Sequence, residues 1–203
     1  MADWDNEYFF VLKPTGDRSP FLVPDANTEG KSFGLEPQPF GSPPLVFVNG
    51  WREENKKKGI FAEATDIVFS GSDLVVRSSI REQLLQLDVS GMLMEPAVFI
   101  DDRHKWHEDY WYLTFTDRFD FWDRKSSEYD EDTPPMMICG KPKYAVATYS
   151  LDAELMNKTP LKDRLLFKMG GDLAAFVVCH KSIASILRGG GESGARLVAL
   201  ADY

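Results

Sequence analysis

The sequence predicts an α+β fold: a single compact domain with a mainly antiparallel sheet and a few short helices. Three observations carry this prediction. Short apolar and aromatic runs typical of strands recur along the chain, one segment has the capping pattern of a helix, and strands and helices do not alternate regularly. A chain of 203 residues is also long enough to bury one substantial core.

The N-terminal third is rich in proline and glycine and is less regular than the rest. Residues 7–12 (EYFFVL) and 44–48 (PLVFV) have the composition of strands. The prolines and glycines between them break regular structure, yet apolar residues are spaced through the segment. We therefore expect residues 1–69 to form a looser portion that packs on an α+β core of residues 70–203.

The clearest helix is predicted to begin at Ser79. The Ser79 hydroxyl and the Glu82 side chain have the spacing of a capping box, in which each satisfies a backbone N–H of the first turn. Ile80 and Leu84 follow at helical spacing, and Gly91 lies just past the end. This segment should therefore bury one apolar face.

Further strands are predicted on both sides of this helix. They cover residues 73–76, 97–100, 110–115, 143–149, 164–168, 175–178 and 197–200. One helical turn is predicted after Ser150, and a short helix over residues 182–188.

Residues 101–109 (DDRHKWHED) combine two of the three histidines with carboxylates. Zinc and iron accept such ligands, and a helix would place His104, His107 and Glu108 on one face. The strands predicted on either side instead make residues 102–107 the connection of a hairpin. Because no third ligand follows with motif spacing, we expect a hairpin tip without a bound metal.

The cysteines and the remaining motifs indicate neither a catalytic site nor a cofactor. Cys139 and Cys179 form no C-x-x-C pair, which favours buried thiols. A composite metal site that joins Cys139, Cys179 and His180 to the 101–109 cluster is disfavoured but stays open. The run GGGESG, residues 189–194, matches a dinucleotide-binding pattern, but it follows a predicted helix instead of a strand and is expected to be a helix stop. A small hydrolase that uses the cluster Asp101–Asp109 is the enzymatic alternative.

The net charge of −9 is concentrated in one segment. Residues 101–132 contain eleven acidic and five basic side chains, a net charge of −6, which leaves −3 for the rest of the chain. The basic run Lys56-Lys57-Lys58 is predicted to lie in a polar turn before Gly59. This distribution argues against a nucleic-acid ligand and favours a basic protein partner. The acidic first ten residues and the lack of a long apolar run predict a cytoplasmic protein that does not bind a membrane.

Residues 119–135 (FDFWDRKSSEYDEDTPP) set aromatic side chains among carboxylates. Trp and Tyr anchor protein interfaces, and carboxylates steer a basic partner. We therefore predict a protein-binding surface with Trp122 and Tyr129 as anchors. The competing interpretation is a set of core aromatic residues beside a solvated acidic loop. The acidic members of the predicted surface are Asp120, Asp123, Glu128, Asp130, Glu131 and Asp132.

Four segments occur in an order that is similar to a known family. They are LVVRSSIREQLLQL, DYWYLTF, DFWDRKSSEY and LLFKMGGDLAAFVVCHKSIASIL, and the similarity spans roughly residues 70–200. In this order they resemble bacterial immunity proteins, which are small cytoplasmic antidotes often encoded beside polymorphic or type VI secretion toxins. The resemblance extends to immunity proteins of Pseudomonas that are paired with nuclease effectors.

This resemblance implies a stoichiometric inhibitor that forms a 1:1 complex with a cognate toxin domain, here a basic nuclease. The matched segments are scaffold features, so the resemblance assigns no toxin-contact residue. An adaptor or chaperone that carries a secreted effector is the alternative among binding proteins.

Overall fold

The computed structural model describes residues 4–15, 18–34, 36–188 and 194–203. These residues form an α+β fold, as predicted, with four short α-helices and fifteen strands. The helices are α1 Arg52–Lys58, α2 Ser78–Leu85, α3 Ala153–Lys158 and α4 Ala184–Arg188. The strands are β1 Tyr8–Leu12, β2 Leu22–Pro24, β3 Leu45–Asn49, β4 Ile67–Ser70, β5 Asp73–Arg77, β6 Met92–Ile100, β7 Trp106–Phe115, β8 Arg118–Phe119, β9 Glu128–Tyr129, β10 Met136–Ile138, β11 Lys141–Lys143, β12 Val146–Thr148, β13 Leu166–Met169, β14 Val177–His180 and β15 Arg196–Ala199.

The larger of the two main sheets has six strands in the order β2-β3-β6-β7-β5-β4. Its centre is the long hairpin of β6 and β7. Only β3 and β6 run parallel among its neighbouring strands, so the predicted antiparallel character is confirmed. The apolar residues that alternate along β7 fill both faces of this sheet.

The second main sheet has five strands in the order β15-β1-β14-β13-β8. Strand β1 lies between β14 and β15 and pairs antiparallel with both. Strands β2, β3 and β4 belong to the six-stranded sheet, so the N-terminal third contributes to both sheets. This corrects the expectation that residues 1–69 form a looser portion packed on residues 70–203. Strand pairing between distant segments decides this, and local composition does not reveal it.

Helix α2 confirms the predicted helix but not the predicted cap. It begins at Ser78, and its N-cap is Arg77, whose side chain makes no capping hydrogen bond. Ser78 instead links the helix to β7, because its hydroxyl accepts a hydrogen bond from Trp111 Nε1 over 3.0 Å. Ile80 is buried against the core. With eight residues, α2 is the longest α-helix in the described ranges, and none of these helices is long and apolar enough to span a bilayer.

Two other segments differ in the structure from their predictions. The basic run Lys56-Lys57-Lys58 forms the last turn of α1, where Gly59 ends the helix with a φ of 67°, so the expected polar turn is wrong. The predicted C-terminal helix is divided into a 3₁₀ turn, Lys181–Ile183, and α4. Of the glycine-rich run after α4, residues 189–193 lie outside the described residues.

Three apolar clusters organise the interior. One lies between the two main sheets and includes Val11 of β1 and Val76 of β5. A second covers the outer face of the six-stranded sheet. The third covers the outer face of the five-stranded sheet, where Phe10 packs with residues of the 119–156 segment. That segment also contains the acidic residues singled out from the sequence.

Candidate protein-binding surface

The 119–151 segment is fixed to the outer face of the five-stranded sheet by apolar packing and backbone hydrogen bonds. Phe121 is buried there, and its carbonyl oxygen accepts a hydrogen bond from Asp152 N over 2.7 Å. Asp123 N donates to Ser150 O over 2.8 Å. From this base the chain continues to β9, which pairs with β12.

Trp122 lies in the hydrophobic core. Its side chain is 1% exposed, and its Nε1 donates a hydrogen bond to Gly170 O over 3.1 Å. The Arg124 guanidinium lies 3.7 Å from the centre of the ring. Trp122 therefore offers a partner no exposed face and no unused donor, which corrects its predicted role as an interface anchor. The competing interpretation, a core aromatic residue, holds for this position.

Tyr129 lies at the border between this core and the surface. Its ring is half-buried and meets Trp122 edge-on, with 5.1 Å between the ring centroids. The Tyr144 ring is 5.4 Å away on β12's side of the strand pair. These contacts hold β9 in place and leave part of the Tyr129 side chain accessible.

Two of the predicted acidic residues are satisfied within their own segment. Asp120 pairs with Arg124, with 2.6 Å between Oδ2 and Nη2. Asp123 accepts a hydrogen bond from Lys125 N over 2.9 Å, and this bond is the main cause that holds the pKa of the Asp123 carboxyl below its usual value. Both residues therefore have a local structural role.

Asp130 closes the base of a projecting segment. Its backbone N–H donates to Ala145 O over 3.3 Å, so the two ends of this segment lie side by side. Its carboxylate accepts hydrogen bonds from Thr133, which lower the pKa of Asp130 from its usual value. We call residues 131–144 the arm.

Glu128, Glu131 and Asp132 are exposed acidic residues around the base of the arm. Within the part of the chain that the structure describes, none of the three has an ion-pair partner. Their charges are therefore available to a partner, whereas those of Asp120, Asp123 and Asp130 are partly satisfied by local contacts.

The arm carries exposed apolar side chains that the sequence reasoning missed. Strands β10 and β11 form their own two-stranded sheet. Met136, Met137 and Ile138 are 58%, 62% and 41% exposed. Adjacent exposed apolar residues of this size mark interaction sites on soluble proteins. The signal in the sequence is the apolar run MMIC between Pro134-Pro135 and a short turn.

The turn of the arm explains where Cys139 lies. Cys139 and Gly140 have φ angles of 50° and 73°, which are typical of a two-residue type I′ hairpin turn. Cys139 is exposed there, so the expectation of a buried thiol is wrong for this residue. It is confirmed for Cys179, where burial raises the thiol pKa to about 12. A Cys-Gly turn escapes sequence analysis because Asn and Asp are the usual residues before the glycine.

The 101–109 cluster lies at a hairpin, as predicted, but the connection differs from the expected residues 102–107. Strand β6 ends at Ile100 and β7 begins at Trp106, so the connection is residues 101–105. His107 lies in β7, and its Nε2 is 3.0 Å from Asp101 Oδ2, whereas His104 contacts the Arg52 guanidinium. Over the described ranges, no three His, Cys, Asp or Glu side chains are grouped to hold a metal ion.

Asp101 and Asp102 have structural partners in this tip. Burial raises the pKa of Asp101, but hydrogen bonds from His107 and from backbone amides outweigh it, and the pKa lies below its usual value. Asp102 accepts hydrogen bonds from Asn49 Nδ2 over 3.0 Å and from Ala62 N over 2.8 Å. A cleft of about 610 Å³ lies beside these residues.

The comparisons with known proteins add no relative. No family model matches the chain, and no curated protein matches it. The resemblance to immunity proteins therefore stays a prediction. The geometry of the arm and of the acidic residues around it is the basis for the functional argument.

Proposed function

We propose that this protein is an immunity-type antidote that binds a cognate antibacterial toxin one to one and occludes its functional surface. The observation that carries the proposal is the placement of three exposed carboxylates, Glu128, Glu131 and Asp132, at the base of an arm with exposed apolar side chains. None of the three has an ion-pair partner among the residues that the structure describes. Acidic residues around an apolar centre suit a basic protein partner.

The chemistry of a nuclease toxin supports this choice of partner. A nuclease attracts phosphate, so the surface that binds its substrate is positively charged. An inhibitor with clustered carboxylates competes for that surface without containing nucleic acid. The family resemblance of residues 70–200 is a second, independent support for a toxin as the partner.

The polar contacts of the 101–109 cluster favour a binding protein over the hydrolase alternative. Asp101 is engaged by His107, and Asp102 by Asn49 and Ala62. A general base or nucleophile needs a group that can reach a substrate in the required protonation state. Side chains already committed to the hairpin tip and to neighbouring loops account for the cluster without catalysis.

Co-expression and complex formation with the neighbouring gene product test the proposal. We expect a toxin domain encoded beside this gene to stop cell growth, and this protein to restore it. Purified together, the two should elute as a 1:1 complex whose mass is measured by light scattering. Protection without a detectable complex would contradict the proposal and indicate an enzyme that reverses the damage. A complex with an effector outside its toxin domain would instead support an adaptor.

A further inference from the structure

We infer that the arm, residues 131–144, supplies the apolar anchor of the complex and inserts into an apolar groove of the partner that is bordered by basic residues. This inference rests on the proposed function and deepens it, because it names the docking element and the chemistry of its site. It assigns to Met136, Met137 and Ile138 the anchoring role that the burial of Trp122 excludes.

The arm exposes apolar side chains on both of its faces. Consecutive residues of a strand point to opposite faces, and all three residues of β10 are exposed. A hairpin that lay flat on a partner would bury only one of these faces. Insertion into a groove buries both, and the unbranched, flexible side chains of Met136 and Met137 adapt to such a groove.

The arm is preorganised for insertion. Met136 pairs with Lys143 and Ile138 with Lys141 in the antiparallel ladder, which the Cys139-Gly140 turn closes. A hairpin that is already formed loses less conformational entropy on binding than a loop that must first be ordered.

The base of the arm is tied to the body of the protein. Tyr144 N donates to Gly171 O over 3.0 Å, and Leu173 N donates to Tyr144 O over 2.9 Å. Lys143 is buried at this base, and burial lowers the pKa of its ammonium group. The direction of the arm is therefore set before a partner arrives.

The side chains of the arm, and not its backbone edges, are suited to specific contact. Strand β10 has three residues, which gives few main-chain hydrogen bonds to an added strand. In β11, Pro142 has no N–H to donate to a further strand. Both features limit pairing with an added strand. Binding by the arm should therefore depend on apolar burial.

The charges around the arm indicate which side chains border the groove on the partner. Residues 128–144 contain four carboxylates and two lysines, a net charge of −2. The carboxylates Glu131 and Asp132 lie near the base of the arm, whereas the apolar residues lie toward its turn. A complementary partner has an apolar groove with Lys and Arg at its rim, where the base of the arm would sit.

A triple variant of the arm tests this inference: Met136→Thr, Met137→Gln and Ile138→Thr. The probe is the toxin domain encoded beside this gene. We expect the dissociation rate of the complex to rise by at least about 30-fold, because three central anchors lose apolar burial. Since these side chains are exposed in the free protein, the midpoint of its urea unfolding should stay unchanged.

Two control variants separate this effect from general changes of the surface. Leu85→Gln, Leu155→Gln and Leu161→Gln together remove three exposed apolar side chains elsewhere. Cys139→Asn retains the type I′ turn and removes the thiol. Both should dissociate at the wild-type rate, and hydrogen exchange should show stronger protection of residues 131–144 in the complex than in the free protein.

The possible outcomes distinguish the inference from the proposed function. If the wild-type complex forms and the triple arm variant dissociates at the wild-type rate, the inference is overturned while the antidote function stands. If the wild-type protein forms no complex, the proposed function fails and the inference fails with it. Faster dissociation of the arm variant alone, with unchanged controls, supports both.

Discussion

Trp122 donates its indole N–H to the carbonyl oxygen of Gly170 over 3.1 Å, and this bond joins the acidic segment to the loop after β13. Gly170 also lets the backbone of Arg118 and Phe119 approach closely, because a Cβ at position 170 would lie 3.0 Å from it. Trp122 thus stabilises the packing of the 119–151 segment, from which the arm extends.

We predict that Trp122→Phe lowers the free energy of unfolding by about 1–3 kcal/mol. The variant removes the hydrogen bond, leaves Gly170 O without its donor and creates a small cavity. Urea unfolding followed by circular dichroism measures the change. If the variant kept its stability but dissociated faster from the toxin, Trp122 would be an interface residue and not a core residue.

The ion pair of Lys168 and Asp73 predicts a larger loss of stability. Lys168 is 2% exposed and donates to Asp73, which links β13 of one sheet to β5 of the other. We expect Asp73→Ala to cost about 3–5 kcal/mol, because it leaves a buried ammonium group without a partner.

The double variant Asp73→Ala, Lys168→Met is the matched control for this pair. It removes both charges and retains an apolar side chain of similar length, so it should be clearly more stable than Asp73→Ala alone. Equal losses in the two variants would show that packing, and not the unpaired charge, determines the cost. Chemical denaturation of the wild type, Asp73→Ala, Lys168→Met and the double variant completes the double-mutant cycle.

We expect the exposed carboxylates of Glu128, Glu131 and Asp132 to raise the rate at which this protein associates with the toxin domain. The variant Glu128→Lys, Glu131→Lys and Asp132→Lys keeps Asp130, whose carboxylate holds the turn at the base of the arm. We expect an association rate with the toxin domain about tenfold lower or more at low salt, and a weaker salt dependence, because such charges chiefly steer encounter. Stopped-flow binding at two salt concentrations measures both.

A charge-matched control distinguishes local steering from net charge. Glu29, Glu36 and Glu82 are exposed and lie outside the arm and its base, and changing them to Lys alters the net charge equally. This control should lower the association rate less than the variant at the arm. Equal effects of the two variants would place the toxin elsewhere on the surface.

Asp172 predicts a specific pH dependence of stability. It is buried near the base of the arm, where Tyr149 Oη donates to its Oδ2 over 2.7 Å. Burial raises its carboxyl pKa above the ordinary value of 3.8. The folded state therefore holds this proton at pH values at which the unfolded chain has lost it.

The sign of the effect follows from this proton. The contribution of this carboxyl to the free energy of unfolding is fully present below the unfolded pKa and decreases as the pH rises from 3.8 through the raised folded pKa. Above the folded pKa there is no further decrease. Asp172→Asn should remove this fall, so the variant should gain stability relative to the wild type across that window. Unfolding curves at several pH values give the difference, and a constant difference would contradict the assignment.

The histidines of the hairpin tip should bind no stoichiometric metal. His104 and His107 have different protein partners, Arg52 and Asp101. We expect elemental analysis of protein purified without a histidine tag to show no zinc or iron at one equivalent. A stoichiometric metal that disappears in the variant His104→Ala, His107→Ala would overturn this prediction.

Local pattern in the sequence determined most of the main elements. The alternation of apolar residues indicated β7, the apolar spacing after Ser79 indicated α2, and the strands predicted on either side of residues 102–107 indicated the hairpin. These features depend on neighbouring residues, whose spacing directly reflects the period of a strand or helix. The α+β class followed from their order.

Tertiary structure decided which residues are exposed on the proposed binding surface. The pattern DFWDR is equally compatible with an exposed and a buried tryptophan, and only the packing of Trp122 beneath Gly170 places it in the core. The central position of β1 likewise depends on pairing with β14 and β15, more than 160 residues away in the chain.

For the acidic residues and the arm too, the sequence determined the residue types, and the fold determined their exposure and partners. Composition gave the six carboxylates, but the fold determined that Glu128, Glu131 and Asp132 have no ion-pair partner among the described residues while Asp120 does. No strand or helix is predicted from the sequence for the apolar run at Met136, and the fold of the hairpin leaves it exposed. Residue type fixes the chemistry of a side chain, whereas its burial and its partners depend on segments that only the folded chain brings together.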